Sequence, residues 1–122
     1  MKYLGLILAM VFSVNALASD FVHPLDFDDS EKQKQKVIRH IESSTKELFC
    51  DPDPANCQEV TLRMIEKQNL KAFKSLTQVK DRKILDSVIA LYCDPAYSSC
   101  HYSTLWMMYR QNEKAAGESL AW

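Results

Sequence analysis

Four cysteines are the residues with the clearest chemistry in this chain, and they come in two matched pairs. Cys50-Asp51-Pro52-Asp53-Pro54-Ala55-Asn56-Cys57 reads C-D-P-x4-C. Cys93-Asp94-Pro95-Ala96-Tyr97-Ser98-Ser99-Cys100 repeats it 43 positions later. This spacing is neither the redox C-x-x-C nor that of a zinc ribbon, and no C-x-x-C-H haem motif occurs. Four thiolates could hold zinc, but in an exported chain structural disulfides are the expected state. Three pairings are open to four cysteines. The repeated spacing favours the local one, Cys50 with Cys57 and Cys93 with Cys100, because it uses one geometry twice. Crossed pairing would require the two loops to touch.

Other reactive side chains do not converge. Asp51, Asp53 and Asp94 suggest calcium, yet the loops lack the glycine and the distal bidentate glutamate of an EF-hand. An aspartate between cysteine and proline suits a turn, its carboxylate accepting backbone N–H bonds. His23, His40 and His101 are the histidines. His40 lies near Glu42 and Ser44, but residues two apart on a helix point away from each other. His101 replaces Gln58 in the repeat, so one copy manages without it. No G-x-S-x-G, H-E-x-x-H or glycine-rich phosphate loop occurs. No catalytic residue, metal site or cofactor is therefore expected.

The elements around the cysteine loops are helical. Aligning 47–69 with 90–112 leaves ten of 23 positions identical, among them Leu48/Leu91, Leu62/Leu105, Met64/Met107 and Asn69/Asn112. Arg39/Arg82, Ile41/Ile84 and Ser44/Ser87 extend the match upstream. The repeats span about 37–69 and 80–112. Each is an αα-hairpin that cannot bury its apolar face alone, so the two should pack together with approximate two-fold symmetry. The expected fold is all-α: two disulfide-stapled αα-hairpins forming a small four-helix bundle.

Local signals place the helix ends. Ser30 with Gln33 is a capping-box pattern opening the first helix. Val37, Ile38, Ile41, Thr45, Leu48 and Phe49 are expected to form its buried stripe, and Cys50 closes it. The second helix is expected from Pro54 or Asn56 to about Asn69, with 70–77 either a helical turn or a packed loop. The third begins around Asp81. The fourth runs from Ser98 or Ser99 to about Ala116, where Gly117 stops it. Residues 19–29 form an irregular arm and 117–122 a tail, leaving 30–116 as one domain. No stretch alternates like a strand, and the two glycines are too few for a hairpin-rich sheet fold.

Compartment and partner class follow from composition. Lys2, the apolar run Leu4 to Val14 and Ala16-Leu17-Ala18 form a signal-peptide pattern at 1–18, with cleavage after Ala18 and Ser19 as the new N-terminus. The run is too short to serve as a stable membrane anchor. Fifteen basic against sixteen acidic residues give a net charge of −1, which offers no basic patch to nucleic acid. The chain is expected in the periplasm or outside the cell. In size, export signal, helices and disulfides it is similar to small periplasmic immunity proteins, which neutralise cell-wall-degrading toxins. It is equally similar to small periplasmic chaperones and secretion accessory proteins. These likenesses imply a binding protein, with a secreted effector or small hydrolase as the more distant alternative.

The repeat also suggests a contact face. Glu59, Arg63 and Glu66 form a charged stripe in the first hairpin. The same positions in the second are Tyr102, Trp106 and Tyr109. Either this aromatic stripe is covered from within, by the arm or by 70–76, or it meets a protein partner or a second copy. Tyr and Trp are enriched at such contacts, and Trp106 is the expected anchor.

Overall fold

The computed structural model describes residues 20–96 and 99–122. The signal-peptide pattern and its cleavage site lie outside the described residues. Four helices carry the fold, and among the described residues there is no strand: α1 (Glu31–Phe49), α2 (Glu59–Leu76), α3 (Arg82–Tyr92) and α4 (Tyr102–Ala116). The all-α, doubly stapled bundle expected from the repeat is what forms. Cys50 pairs with Cys57 and Cys93 with Cys100, each across seven positions of sequence. No free cysteine occurs among the described residues.

The start of α1 shows how local chemistry sets an end. Ser30 Oγ accepts the Gln33 backbone N–H at 3.2 Å. Gln33 does not return the bond to Ser30, as a full capping box would. Its Oε1 accepts from Asp28 N at 2.7 Å, and Ser30 N donates to Asp28 Oδ1 at 2.9 Å. The cap is thereby extended by two residues. Asp29, between them, sits at φ 64°, a left-handed conformation that Asp tolerates better than most side chains.

Two helix starts fall later than their prolines and serines suggest, for one reason. A disulfide draws the chain back to the preceding helix before the next helix can begin. Pro54–Asn56 forms a separate 3-10 turn, Gln58 is extended, and α2 opens only at Glu59. His101 is likewise extended, so α4 opens at Tyr102 and not at Ser99; the alternative start, Ser98, lies outside the described residues. At its far end α2 continues through 70–76, because Ala72, Phe73 and Leu76 are all buried there. Asp81 caps α3 through a 3.1 Å bond from Ile84 N, and α4 stops at Gly117.

α2 packs on α1 within its own hairpin and on α4 of the other, and α4 packs on α3. The core gathers Val37 and Ile41 of α1, Phe73 and Leu76 of α2, Leu85 and Val88 of α3, and Tyr102, Leu105 and Tyr109 of α4.

The arm belongs to this core. Val22 and Pro24 are buried. Polar contacts tie the arm to both hairpins: Asp20 to Arg39 of α1 at 3.3 Å, and Asp26 to Arg82 of α3 at 2.9 Å through both carboxylate oxygens. His23 Nδ1 accepts from Leu25 N, so its Nε2–H donates to Asp86 of α3 at 2.6 Å. The arm thus bridges the two hairpins from α1 to α3.

Candidate functional site

The cysteine loops are structural, each closed by its disulfide. Asp94 Oδ1 accepts from Ala96 N at 2.8 Å. In the first loop the residue with that turn bond is Asp53, to Ala55 N at 2.9 Å, and not Asp51, the sequence mate of Asp94. Among the described residues no group of three His, Cys, Asp or Glu side chains is arranged to hold a metal.

Between the two loops lies a cleft of about 460 Å³, lined by His40, Ser44, Glu47, Leu48 and His101. The His40 ring N–H donates to Cys100 O at 2.8 Å, linking α1 to the second loop. Burial is the main force lowering the His40 pKa; the Cys100 carbonyl opposes it and the nearby His101 adds to it. Ser44 Oγ donates to His40 O, one turn back, at 2.7 Å. Its hydroxyl is therefore spent on its own helix and not on an imidazole. The cleft holds two histidines without an activated nucleophile.

The aromatic stripe of α4 divides. Tyr102 is fully buried and Tyr109 is 2% exposed, which removes both from any partner-facing surface. The arm and the start of α3 cover them. Tyr102 OH donates to Val22 O at 3.1 Å and accepts from Val22 N at 3.0 Å. Phe21 stacks on the ring at 5.4 Å, and Phe73 meets it edge-on at 4.8 Å. Burial pushes this phenol well above its ordinary pKa, with the Val22 N–H pulling weakly the other way. Tyr109 OH accepts from Asp81 N at 3.2 Å and donates to Glu113 at 2.8 Å. The expectation of an aromatic contact face at Tyr102, Trp106 and Tyr109 thus reduces to Trp106.

Trp106 is half-buried. One face of its indole stacks parallel to Tyr109, with ring centroids 6.4 Å apart. The Arg110 guanidinium lies over the ring at 5.5 Å from its centre, a cation–π arrangement. Met107 beside it is 51% exposed. With Gln111, Glu113 and Lys114 these residues line a shallow depression of about 660 Å³. It presents an amphipathic ring fixed in place, a soft thioether and a charged rim.

One residue with a structural role passed unnoticed in the sequence. Asn69 is buried at 2% exposure near the end of the first repeat. Its Oδ1 accepts from Ser103 N at 3.1 Å and so caps α4, whose own N-cap residue His101 does not cap the helix with its side chain. The Asn69/Asn112 identity was visible, but an asparagine capping another helix leaves no local pattern.

Comparison of the chain with protein-family models, with curated proteins and with solved structures returned no match. Two disulfides, and no helix among the described residues long and apolar enough to cross a membrane, are compatible with an extracellular or periplasmic protein.

Proposed function

We propose that the chain is an exported interaction protein, an inhibitor or immunity-type partner of another secreted or periplasmic protein, with Trp106 at the contact. Export rests on the signal-peptide pattern at 1–18 and agrees with two intact disulfides. The observation that carries the reading is the state of Trp106. Its two stripe neighbours turn inward, while its indole stays half-exposed under Arg110 and beside Met107. A large rigid ring held at the surface by stacking loses little freedom on binding, which is what an interface anchor requires. Recognition fits the polar chemistry better than catalysis does, since Ser44 and His40 are engaged in separate backbone bonds.

The test is affinity capture from periplasmic extract, identification of the captured protein, and reconstitution of the pair. Trp106→Ala is expected to weaken association by about 2 kcal/mol or more, about thirtyfold, while the variant remains folded. Unchanged association with a sharply lowered melting temperature would make Trp106 a packing residue only. Intact mass of the native protein checks export separately, with Ser19 expected as its first residue.

A further inference from the structure

The arm leaves part of the space between α1 and α2 unfilled. Beside the Pro24–Asp26 turn an open groove of about 650 Å³ runs between these helices, within the range of about 300–1,000 Å³ typical of small-molecule sites. Its lining includes Phe27, Val37, Ile38, Leu70 and Phe73. Val37 and Phe73 are core residues, Phe27 and Leu70 are half-buried, and Ile38 is 37% exposed. The core therefore opens to solvent here along an apolar strip.

Charge at the groove is uneven. Lys34 is offset by Asp29 at 3.7 Å and by Glu31 at 3.3 Å. Lys74 also lines the groove and has no ion-pair partner among the described residues. It stands in the last turn of α2, where the helix dipole favours a cation. An ammonium with no carboxylate partner among the described residues, offset in part by the α2 terminus, thus borders an apolar strip.

We propose that this groove binds a single-chain apolar carboxylate of the fatty-acid type, its tail along Phe27, Ile38 and Leu70 and its carboxylate on Lys74. The two features select this class together. A small polar anion would gain nothing from the strip, a neutral hydrocarbon would leave the ammonium unpaired, and a cationic amphiphile would meet repulsion. Trp106 takes no part in the groove, so this site is independent of the proposed protein contact.

The test uses the intact, disulfide-bonded protein and calorimetric titration with dodecanoate below its micelle concentration. Dodecanol and dodecyltrimethylammonium are titrated in parallel. Dodecanoate is expected to bind saturably at one site and more tightly than either relative. Amide NMR shifts should cluster at 27–38 and 70–78. Lys74→Glu, at an exposed position, should weaken dodecanoate by about tenfold or more and leave dodecanol unaffected. Ile38→Trp, also at an exposed position, should obstruct the apolar strip and weaken binding of both, with an unchanged melt showing that the fold is intact. The proposal is overturned if the ammonium binds as tightly as the carboxylate, if Lys74→Glu changes nothing, if the shifts cluster around Trp106, or if no binding saturates.

Discussion

The hairpins α1–α2 and α3–α4 share a sequence pattern and a disulfide geometry, yet they treat equivalent positions differently. Leu62 and Leu105 are both buried, and Met64 and Met107 are both about half-exposed, at 52% and 51%. At the stripe the copies part. In α2, Arg63 pairs with Glu59 at 2.9 Å and with Glu66, forming a ladder along one helix face. In α4 the matching positions hold Tyr102, Trp106 and Tyr109, and two of these are core. The cause is a third body. The arm reaches Tyr102 through Val22, and the α2–α3 connection reaches Tyr109 through Asp81. Duplication supplied two similar hairpins; the segments preceding and joining them decided which face of each became interior.

The sharpest way to break this comparison is to truncate the same position in both copies. Tyr102→Ala removes a fully buried ring and both of its bonds to Val22, and is expected to cost about 3–5 kcal/mol. Glu59→Ala, its mate, should stay within about 0.5 kcal/mol of the parent. Urea unfolding of the two variants measures the contrast, and equal losses would place the arm elsewhere.

The disulfides should show the opposite behaviour, because their loops are the same length. Cys50→Ser with Cys57→Ser, and Cys93→Ser with Cys100→Ser, should each cost about 2–3 kcal/mol through the larger freedom of the unfolded chain. Non-reducing peptide mapping of the parent should show only the two local bridges. A clear inequality between the double variants would mean that one loop also carries a contact between the hairpins, with the His40–Cys100 bond the first suspect.

Asparagine mates separate the copies at smaller scale. Asn69→Ala strips the cap from α4 and should cost about 1–2 kcal/mol. Among the described residues Asn112 bonds to Met108 O of its own helix, and it is exposed, so Asn112→Ala should fall within about 0.5 kcal/mol. An exact two-fold would have set Asn112 against the N-terminus of α2. Its absence there shows that the hairpins depart from strict symmetry.

The smallest expected effect depends on pH. Burial holds the His40 pKa below its ordinary value of 6.5, so the unfolded chain binds the proton more readily than the folded one. Stability from this group is complete above about pH 6.5 and is lost as pH falls towards the lowered folded pKa. His40→Gln should flatten that part of a stability–pH profile. Position 83, the repeat mate of His40, is a lysine exposed on α3.

Short-range chemistry was legible in the chain. The cap at Ser30, the start of α3 near Asp81 and the local disulfides depend on residues within a few positions of one another, so spacing specified them; of the α1 stripe, Val37, Ile41 and Thr45 are buried, whereas Ile38 and Leu48 are exposed because no other element among the described residues covers that side. The starts of α2 and α4 were misplaced by only a few residues, because a closed disulfide overrode the turn preferences of proline and serine. The division of the aromatic stripe could not be read in the same way. Whether Tyr102 faced water depended on Val22, eighty positions away, and on Phe73 of the other hairpin. The capping of α4 by Asn69 likewise crosses from one hairpin to the other. By itself the sequence determined the all-α class, the duplicated hairpin and the cysteine pairing, since these rest on local periodicity and loop closure. Only the tertiary structure decided which aromatic residues were core, which one remained at the surface, and where an apolar groove stayed open, because burial is settled by whichever distant segment packs against a face.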